Sequence, residues 1–523
     1  MYSTTMTSMP VGIRAVPIRV EVDISAGMPA FEMVGFLASE VREARERVRT
    51  ALHNCGIALP AKRITVNLSP ANIRKSGTGF DVAIAVALLA AMGLVDGERA
   101  ADALYVGELN LRGDILPVSG VLPIVSDAAA DGTRRFVVPA ENMWEARLVQ
   151  TAEIRGFSSL TELLGFLRGE PYTETEAGSA GDKPCAEPEA AGEMPHEDSE
   201  APEADFSEVN GQAYLRRVAE VAASGMHNLL MIGPPGAGKT MIAERMATIL
   251  PPLVREERLE LSKIYSVRGM LGKRRDLIAR RPFRSPHHTA SLAGLVGGGK
   301  DLRPGEISLA HKGVLFLDEL TEFEKSTVET LRQPLEEHEI HLVRAAGSVS
   351  YPSDFLLVAA MNPCNCGYYP DLQRCCCTPA MLRRYIGRVS KPLLDRIDIC
   401  AEAPAVTYRE LAGKAKNESS ADIRSRVQEC HELQLARYQG QGFCHNSRIP
   451  AAQIADYCAL GEKEERYMEQ VFGARSMTAR SYHKVLRVAR TVADLDHSDP
   501  IKIRHLSEAA CYFGFDEKFW GGM

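Results

Sequence analysis

Apolar runs alternate along the chain with polar segments, and the lengths of these runs predict an α/β protein. Leu229–Ile232 and Gly313–Leu320 are short runs that predict buried strands, and residues 354–361 and 393–399 predict two further strand ends of the same sheet. The longest apolar run, Val82–Val95, lies between two aspartates and predicts a buried helix, because 14 residues are too few to span a bilayer.

A glycine-rich loop separates the first of these strands from a predicted helix, Met241–Ile249. The loop fits G-x-x-x-x-G-K-[ST], the pattern that binds phosphate. Glycines let successive backbone N–H groups turn towards the phosphates, Lys239 would reach the β- and γ-phosphates, and Thr240 would ligate Mg²⁺. A chance glycine-rich turn is the alternative, but the strand–loop–helix order is the context that the motif requires. The predicted nucleotide-binding residues are Gly233, Pro234, Pro235, Gly236, Ala237, Gly238, Lys239 and Thr240.

Two carboxylates end the strand that follows about eighty residues later. Asp318 would hold Mg²⁺ at the strand end, and Glu319 would orient and activate the attacking water. The alternative is a buried strand with solvated acids at its tip. The phosphate loop upstream favours the catalytic interpretation.

Two polar residues near the other strand ends complete a predicted hydrolytic site. Asn362 could sense the γ-phosphate or position the water. Arg396, between apolar residues, could enter a neighbouring subunit's site as an arginine finger. An ordinary ion pair with Asp395 or Asp398 is the alternative for Arg396.

Composition is that of a large enzyme with one unusual segment. The 523 residues suggest three or four domains, and 45% hydrophobic and 25% charged residues allow sizeable cores. Residues 171–208 hold twelve acids and one lysine, so the remainder of the chain is weakly basic although the net charge is −7. This segment predicts a disordered linker after an N-terminal domain. No secretory signal is visible, and twelve cysteines in so long a chain favour the reducing cytoplasm.

Four cysteines between Asn362 and Arg396 form a candidate metal site. The pattern Cys364-x-Cys366 … Cys375-x-Cys377 offers the thiolates of a tetrahedral Cys₄ zinc site. Cys376 could substitute for a neighbour, and free or redox-sensitive cysteines are the alternative. A metal in this short loop would be structural rather than hydrolytic.

The order of several longer motifs resembles one family from end to end, apart from the acidic linker. The chain is similar to the magnesium-chelatase-like AAA+ ATPases, in the ComM/YifB branch. The motifs that carry the resemblance are residues 22–25, 29–31, 45–49, 63–68, 79–81, 283–290, 304–313, 361–364 and 392–397.

The resemblance implies an N-terminal Lon-protease-like α+β domain, an AAA+ α/β domain with a parallel sheet, and a C-terminal α-helical lid. The implied domains are 1–170, the linker 171–208, the ATPase core 209–402, and the lid and C-terminal domain 403–523. Asn362 would be sensor 1, Arg396 the arginine finger and Arg480 sensor 2, with Arg475 a competitor for the last role. Such proteins form closed homo-oligomeric rings, usually hexamers, in which the finger acts on the neighbour's nucleotide.

The resemblance also implies two insertions that point into the pore of the ring. They are Phe283–Arg303 and the predicted hairpin Glu339–Tyr351. The basic residues Lys300, Arg303 and Arg344 could grip DNA phosphates there. Two solvated loops with ordinary surface charge are the alternative.

The Lon-like domain lacks the catalytic Ser–Lys pair that its resemblance would call for. Gly79 stands at the position of the nucleophile, and Leu122 stands at the position of the lysine. We therefore expect a ring-forming or partner-binding module without protease activity.

The sequence as a whole predicts a cytoplasmic, ATP-hydrolysing ring motor that acts on DNA without contacting a membrane. The resemblance implies a helicase-like role in branch migration, in recombination or natural transformation. A chelatase- or chaperone-like ATPase that remodels a protein complex is the alternative. A nucleotide-dependent scaffold without hydrolysis is disfavoured by Glu319.

Overall fold

The protein comprises an N-terminal mixed domain, a parallel α/β domain and a group of C-terminal helices. The computed structural model describes residues 1–171, 204–272, 276–299, 302–344, 347–405, 408, 417–475 and 477–513. Most of the predicted acidic linker, together with Lys300, lies outside the described residues.

The N-terminal domain is a seven-stranded sheet covered by helices. Its strands are β1 (Tyr2–Val11), β2 (Arg14–Ser25), β3 (Ala30–Val34), β4 (Arg63–Ser69), β5 (Leu104–Tyr105), β6 (Glu108–Leu109), β7 (Ile115–Leu116), β8 (Arg135–Pro139) and β9 (Glu153–Phe157). Its helices are α1 (Ser39–Asn54), α2 (Asp81–Ala91), α3 (Gly97–Ala101), α4 (Val121–Ala130), α5 (Met143–Ala146) and α6 (Leu160–Leu167). The sheet order is β3-β4-β2-β1-β5-β8-β9, with β6 and β7 paired separately.

Strict alternation along β2 explains why one face of this sheet is covered. Ile18, Val20, Val22 and Ile24 are buried, whereas the residues between them are more exposed. Helix α2 packs against β1 and β2 on one side and α1 on another. Every residue of α2 except Ala90 is buried, so the prediction of a buried helix in this region is confirmed.

The positions that would carry a Lon-type dyad hold no reactive pair. Leu122 is fully buried at the start of α4, and Gly79 precedes α2. The nearby hydroxyl of Thr78 donates to Glu108. Lys75 is buried, and its amine donates to the backbone carbonyl oxygens of Pro70 and Ile73 instead of a hydroxyl. The positions expected for a Lon-type dyad therefore supply neither the nucleophile nor its base.

The second domain is built on a five-stranded sheet in the order β11-β14-β17-β10-β18, in which every pair is parallel. Its strands are β10 (Leu229–Ile232), β11 (Phe283–Arg284), β12 (Gly297–Gly298), β13 (Arg303–Pro304), β14 (Val314–Leu317), β15 (Glu339–Arg344), β16 (Gly347–Pro352), β17 (Leu356–Met361) and β18 (Ile399–Glu402). Its helices are α7 (Ala213–Gly225), α8 (Lys239–Ile249), α9 (Arg255–Arg268), α10 (Leu292–Val296), α11 (Glu306–Leu309), α12 (Lys325–Glu329), α13 (Arg332–Glu337), α14 (Pro379–Ile386) and α15 (Lys391–Leu394).

Three of the four predicted strands belong to the core of this sheet, whereas the fourth prediction was wrong. Every residue of β10, β14 and β17 is buried, as expected for parallel strands covered on both faces. Residues 393–399 do not form a strand. They end α15, pass through a turn and only then enter β18.

The helical lid follows the core and packs back on it. Its helices are α16 (Ser420–Arg437), α17 (Ile454–Tyr457), α18 (Glu462–Ala474), α19 (Ala479–Leu495) and α20 (Ile503–Cys511). α16 packs against α7 and α8, and α19 packs against α7. Among the helices of the described residues, none is long and apolar enough to cross a bilayer.

A buried ion cluster fastens the lid to the base of the sheet. Asp354, just before β17, accepts from Lys312 at 2.9 Å and from Arg448 of the lid. Burial alone would raise the pKa of Asp354, but the charges of Arg448 and Lys312 lower it far below its usual range. Asp354 therefore remains a carboxylate in the folded protein.

The N-terminal domain contacts the ATPase domain through α4, α5 and α9. Asp127 pairs with Lys263 at 2.6 Å. Glu145 is buried, which raises its pKa, and it accepts hydrogen bonds from the Leu122 backbone N–H at 3.0 Å and from the Ser266 hydroxyl. These contacts place the N-terminal domain beside α9, which is the next helix after α8.

Candidate nucleotide-binding site

The glycine-rich loop leaves β10 at the carboxyl edge of the parallel sheet and enters α8. Ligands of open α/β sheets bind at this edge. Gly236 and Gly238 have φ angles of 76° and 77°, which side-chain-bearing residues adopt only with strain. The loop therefore needs its glycines for the backbone curvature that surrounds a phosphate.

Lys239 begins α8 with its side chain directed back into the loop. Its amine donates to the carbonyl oxygens of Gly233 at 2.7 Å and Pro234 at 3.0 Å, and to Asn362 Oδ1 at 3.2 Å. Burial lowers the pKa of Lys239, whereas the carboxylates of Asp318 and Glu319 raise it. The structure thus brings Lys239 and Asn362 together, since β17 lies next to β10 and ends directly before Asn362.

Thr240 and Asp318 form a pair of oxygen donors beside this amine. The Thr240 hydroxyl donates to Asp318 Oδ2 at 2.8 Å, and the other carboxylate oxygen accepts from the Glu319 backbone N–H at 2.9 Å. A hydroxyl and a carboxylate are hard oxygen ligands of the kind that Mg²⁺ prefers. These two residues fit the predicted Mg²⁺ site.

Glu319 has the left-handed φ of 49°, and its side chain is 55% exposed. His288 Nδ1 lies 3.6 Å from Glu319 Oε2, and the His288 ring packs at 4.0 Å between centroids from that of His287. The sequence analysis assigned His288 only to the insertion Phe283–Arg303 and did not predict its contact with Glu319. No spacing rule links the two residues, because the contact depends on how the segment after β11 folds over β14.

Gln212 is a second residue that the sequence analysis missed. It adopts a left-handed φ of 51° directly before α7. Its side-chain amide donates to the carbonyl oxygen of Ala237 at 3.0 Å and to that of Pro404 at 2.7 Å. Gln212 therefore ties the phosphate loop to the end of β18, and the Gly-Gln turn before α7 was the only sequence signal.

Arg396 lies in the turn between α15 and β18, apart from the cluster around Lys239. Its guanidinium pairs with Glu336 and donates to the Pro392 carbonyl oxygen, and the side chain is 16% exposed. An ion pair was the predicted alternative, but the carboxylate is Glu336 and not Asp395 or Asp398. Any action on a neighbouring subunit would require Arg396 to exchange Glu336 for the neighbour's nucleotide.

Arg480 and Arg475 have different surroundings in the lid. Arg480 lies in the first turn of α19, is 72% exposed and contacts Asp395 Oδ2 at 3.3 Å. Arg475 donates to the carbonyl oxygens of Ala510 and Phe513, so it holds the end of α20. Of the two, Arg480 is the one whose charge is available to a ligand.

Four thiols gather directly after Asn362. Cys364 Sγ lies 3.3 Å from Cys366 Sγ and 3.8 Å from Cys375 Sγ, while the Cys366 and Cys375 sulfurs are 3.5 Å apart. With Cys377, all four sulfurs lie within 4.8 Å of one another. Cys376 is exposed and stands outside this group.

The two predicted insertions contact each other. The β15–β16 hairpin buries Ile340, Leu342 and Tyr351 in the cluster that also holds Leu302, and the Tyr351 hydroxyl donates to the Leu302 carbonyl oxygen at 2.9 Å. A methyl group placed on Gly298 would lie 3.8 Å from Arg344 Nη2. Arg303 and Arg344 are both exposed.

Comparison with known proteins identifies the family. Three family models match: "Magnesium chelatase, subunit ChlI" over residues 205–411, "Subunit ChlI of Mg-chelatase" over 20–142, and "Magnesium chelatase, subunit ChlI C-terminal" over 417–512. The protein YifB of Salmonella typhimurium is 41% identical over 98% of this chain and 96% of its own length.

Two further relatives match this chain over very different lengths. The competence protein ComM of Haemophilus influenzae is 38% identical over 96% of this chain and 95% of its own length. An archaeal Lon protease of Methanothermobacter thermautotrophicus is 28% identical over 23% of this chain and 18% of its own length. The chain belongs to the magnesium-chelatase-like AAA+ ATPases, in their ComM/YifB branch.

Proposed function

We propose that the protein is an ATP-hydrolysing ring motor that acts on DNA and drives branch migration in recombination or natural transformation. The family implies an ATPase, and the convergence of Lys239, Thr240, Asp318 and Asn362 is the observation that carries the hydrolytic part of the proposal. A relative that is named a competence protein supports the DNA part.

In this proposal each residue of the site has a separate task. Lys239 and the backbone N–H groups of the non-proline residues in the loop 233–240 stabilise the phosphates, and Thr240 with Asp318 would hold Mg²⁺, which would neutralise charge on the phosphate oxygens. Glu319 accepts the proton of the attacking water, and Asn362 positions that water against the γ-phosphate.

The remaining catalytic groups come from the lid and from a neighbouring subunit. Arg480 would reach the phosphates from the lid as sensor 2. Arg396 would leave Glu336 and enter the next subunit's site, so hydrolysis would depend on a homo-oligomeric ring, for which we propose a hexamer. The proposed domain bounds are 1–170, 171–208, 209–402 and 403–523.

Two exposed arginines support contact with DNA. Arg303 and Arg344 belong to the insertions that pack together, and Lys300, which lies outside the described residues, precedes Arg303 by three positions. Exposed basic side chains on contacting insertions suit the DNA backbone, whose binding is dominated by phosphate charge. We propose the cytoplasm as its location, because a motor of this kind uses ATP and acts on DNA.

The family models, named for a chelatase subunit, favour one alternative: an ATPase that remodels a protein complex. ATPase rates with single-stranded, duplex and four-way-junction DNA separate the two. We expect stimulation by DNA, strongest with the junction. Equal rates with and without every DNA would support the remodelling ATPase instead.

The Arg344→Ala variant tests whether the hairpin contacts the DNA. We expect unchanged basal ATPase but weaker DNA binding, with a slope of log affinity against log salt smaller by about one, because one phosphate contact is lost. Arg466→Ala in the lid is the control, since Arg466 is 76% exposed and lies on α18, away from the hairpin. If both variants bind DNA like the wild type, the hairpin does not hold the strand.

Zinc is the second cofactor that we propose, at Cys364, Cys366, Cys375 and Cys377. Four sulfurs suit a closed structural site, whereas a catalytic zinc keeps one position open for water. The zinc would therefore take no direct part in hydrolysis.

A further inference from the structure

We propose that the four-cysteine zinc site forms a wall of the nucleotide pocket and holds the phosphate loop in its binding conformation. The inference rests on the proposed nucleotide site and adds a partner to it. The segment concerned, residues 362–378, is called here the cysteine loop.

The sulfur separations fit one metal ion. Tetrahedral zinc with Zn–S bonds of about 2.3 Å places its ligands roughly 3.8 Å apart. Three pairs of sulfurs already lie 3.3, 3.5 and 3.8 Å apart, well beyond the length of a disulfide bond of about 2.05 Å. The thiols thus occupy the corners of a coordination site and are not oxidised in pairs.

One backbone N–H group is directed at these sulfurs, because the Tyr369 N–H donates to Cys364 Sγ at 3.4 Å. All four candidate ligands are soft sulfur atoms, which suit zinc. Carboxylates, which harder cations would need, are not part of this group of ligands.

The cysteine loop touches the phosphate loop at Gly367. Gly367 has a left-handed φ of 83° and closes a turn by donating its N–H to the Cys364 carbonyl oxygen at 3.0 Å. A Cβ on Gly367 would lie only 2.6 Å from Pro235 Cδ and 3.0 Å from Pro235 Cγ. The backbone of the metal-binding turn therefore packs directly on the ring of a phosphate-loop residue.

The same loop adjoins the site from a second side. Buried Cys364 is two residues from Asn362, whose side chain accepts from Lys239. A metal that fixes Cys364 and Cys366 would fix both Asn362 and Gly367. Without the metal, the loop would sample other conformations and Pro235 would lose its support. If the binding conformation then held for roughly a tenth of the time, the apparent nucleotide affinity would fall about tenfold.

Metal analysis and equilibrium binding of a fluorescent ATP analogue, on the full chain without DNA, test the proposal. We expect about one zinc per chain in the wild type. Cys366→Ser and Cys375→Ser should lose the zinc and bind the analogue about tenfold more weakly. Cys376→Ser is the matched control, because this neighbouring thiol lies outside the group of four and should change neither quantity.

The Gly367→Ala variant tests the contact with Pro235 separately from metal binding. It leaves all four sulfurs in place, so zinc should remain, but its methyl group would push on Pro235 and weaken analogue binding. Removing zinc from the wild type with a chelator and adding it back should lower and then restore affinity, which avoids reliance on variants that fail to fold.

Three results would overturn the inference: no zinc in wild-type protein purified under reducing conditions, iron in its place, or unchanged analogue affinity after zinc is removed. None of these depends on hydrolysis or DNA. A wild type that carries zinc but binds no ATP analogue would instead contradict the proposed function.

Discussion

Lys239 and Glu319 differ in their surroundings, and these differences suit different steps of hydrolysis. The Lys239 amine is buried among carbonyl oxygens, whereas the Glu319 side chain is half exposed next to His288. We therefore assign binding to the first residue and water activation to the second.

Lys239→Ala should abolish ATP binding, whereas Glu319→Gln should bind ATP with near wild-type affinity but lose roughly 10²–10⁴ in turnover, the usual contribution of a general base. Equilibrium binding and steady-state hydrolysis, measured on the same preparations, distinguish these effects. Glu324→Gln, an exposed acid five residues further along, is the control and should change neither. Wild-type turnover in Glu319→Gln would refute the assignment.

Single residues also show where sequence reasoning ends. Lys239, Thr240 and Asp318 could be predicted because a fixed local spacing puts them at the ends of adjacent elements. His288 and Gln212 could not, because their contacts with Glu319 and Ala237 depend on loops that cross the site. For Arg396, the alternative to an arginine finger was an ion pair with Asp395 or Asp398, yet its carboxylate partner lies 60 residues earlier, on α13.

At the scale of elements, the strands with continuous apolar runs could be predicted from the sequence, whereas the structure of residues 393–399 could not. β10, β14 and β17 are buried on both faces, so their composition identifies them. Residues 393–399 also contain apolar residues, but Leu393 and Leu394 belong to a helical turn that begins at Lys391 and has Pro392 near its start. Short apolar runs do not distinguish a strand from a buried helical turn.

The attachment of the lid to the sheet gives a test at this scale. Asp354→Asn should leave Lys312 and Arg448 without their shared carboxylate and cost about 3 kcal/mol, which lowers the thermal midpoint of the ATPase domain by roughly 5–10 °C. Calorimetry checks the shift. Asp276→Asn is the control, because Asp276 is 75% exposed and its pair with Arg258 should contribute little.

The loss of stability in Asp354→Asn should depend on pH. The pKa of Asp354 is lowered on folding, so its contribution is complete above the unfolded value of about 3.9 and is lost as the pH falls towards the folded value. The difference in midpoint between wild type and Asp354→Asn should stay constant above about pH 5 and shrink in more acidic buffer. A difference that grows on acidification would contradict the ion cluster.

The whole molecule is proposed to work as a ring in which Arg396 serves the neighbouring subunit. Arg396→Ala and Lys239→Ala should each be inactive alone, yet their mixture should regain ATPase activity where an intact pocket meets an intact finger. Loss of a finger typically costs about 10³–10⁵ in rate, so partial rescue would be visible.

A second mixture is the control for this rescue. Lys239→Ala and Glu319→Gln both retain the finger and both lack a working pocket, so mixing them should restore nothing. Verified subunit exchange without rescue in the first mixture would make Arg396 a structural partner of Glu336.

Movement of a four-way junction tests the central claim most directly. With ATP, the wild type should convert a labelled junction into its duplex products, and Glu319→Gln should bind the same junction but leave it intact, because hydrolysis drives the movement. Separation of the products by native gel electrophoresis gives the rate. Steady ATP hydrolysis with an intact junction, or equal conversion with and without ATP, would contradict a DNA motor.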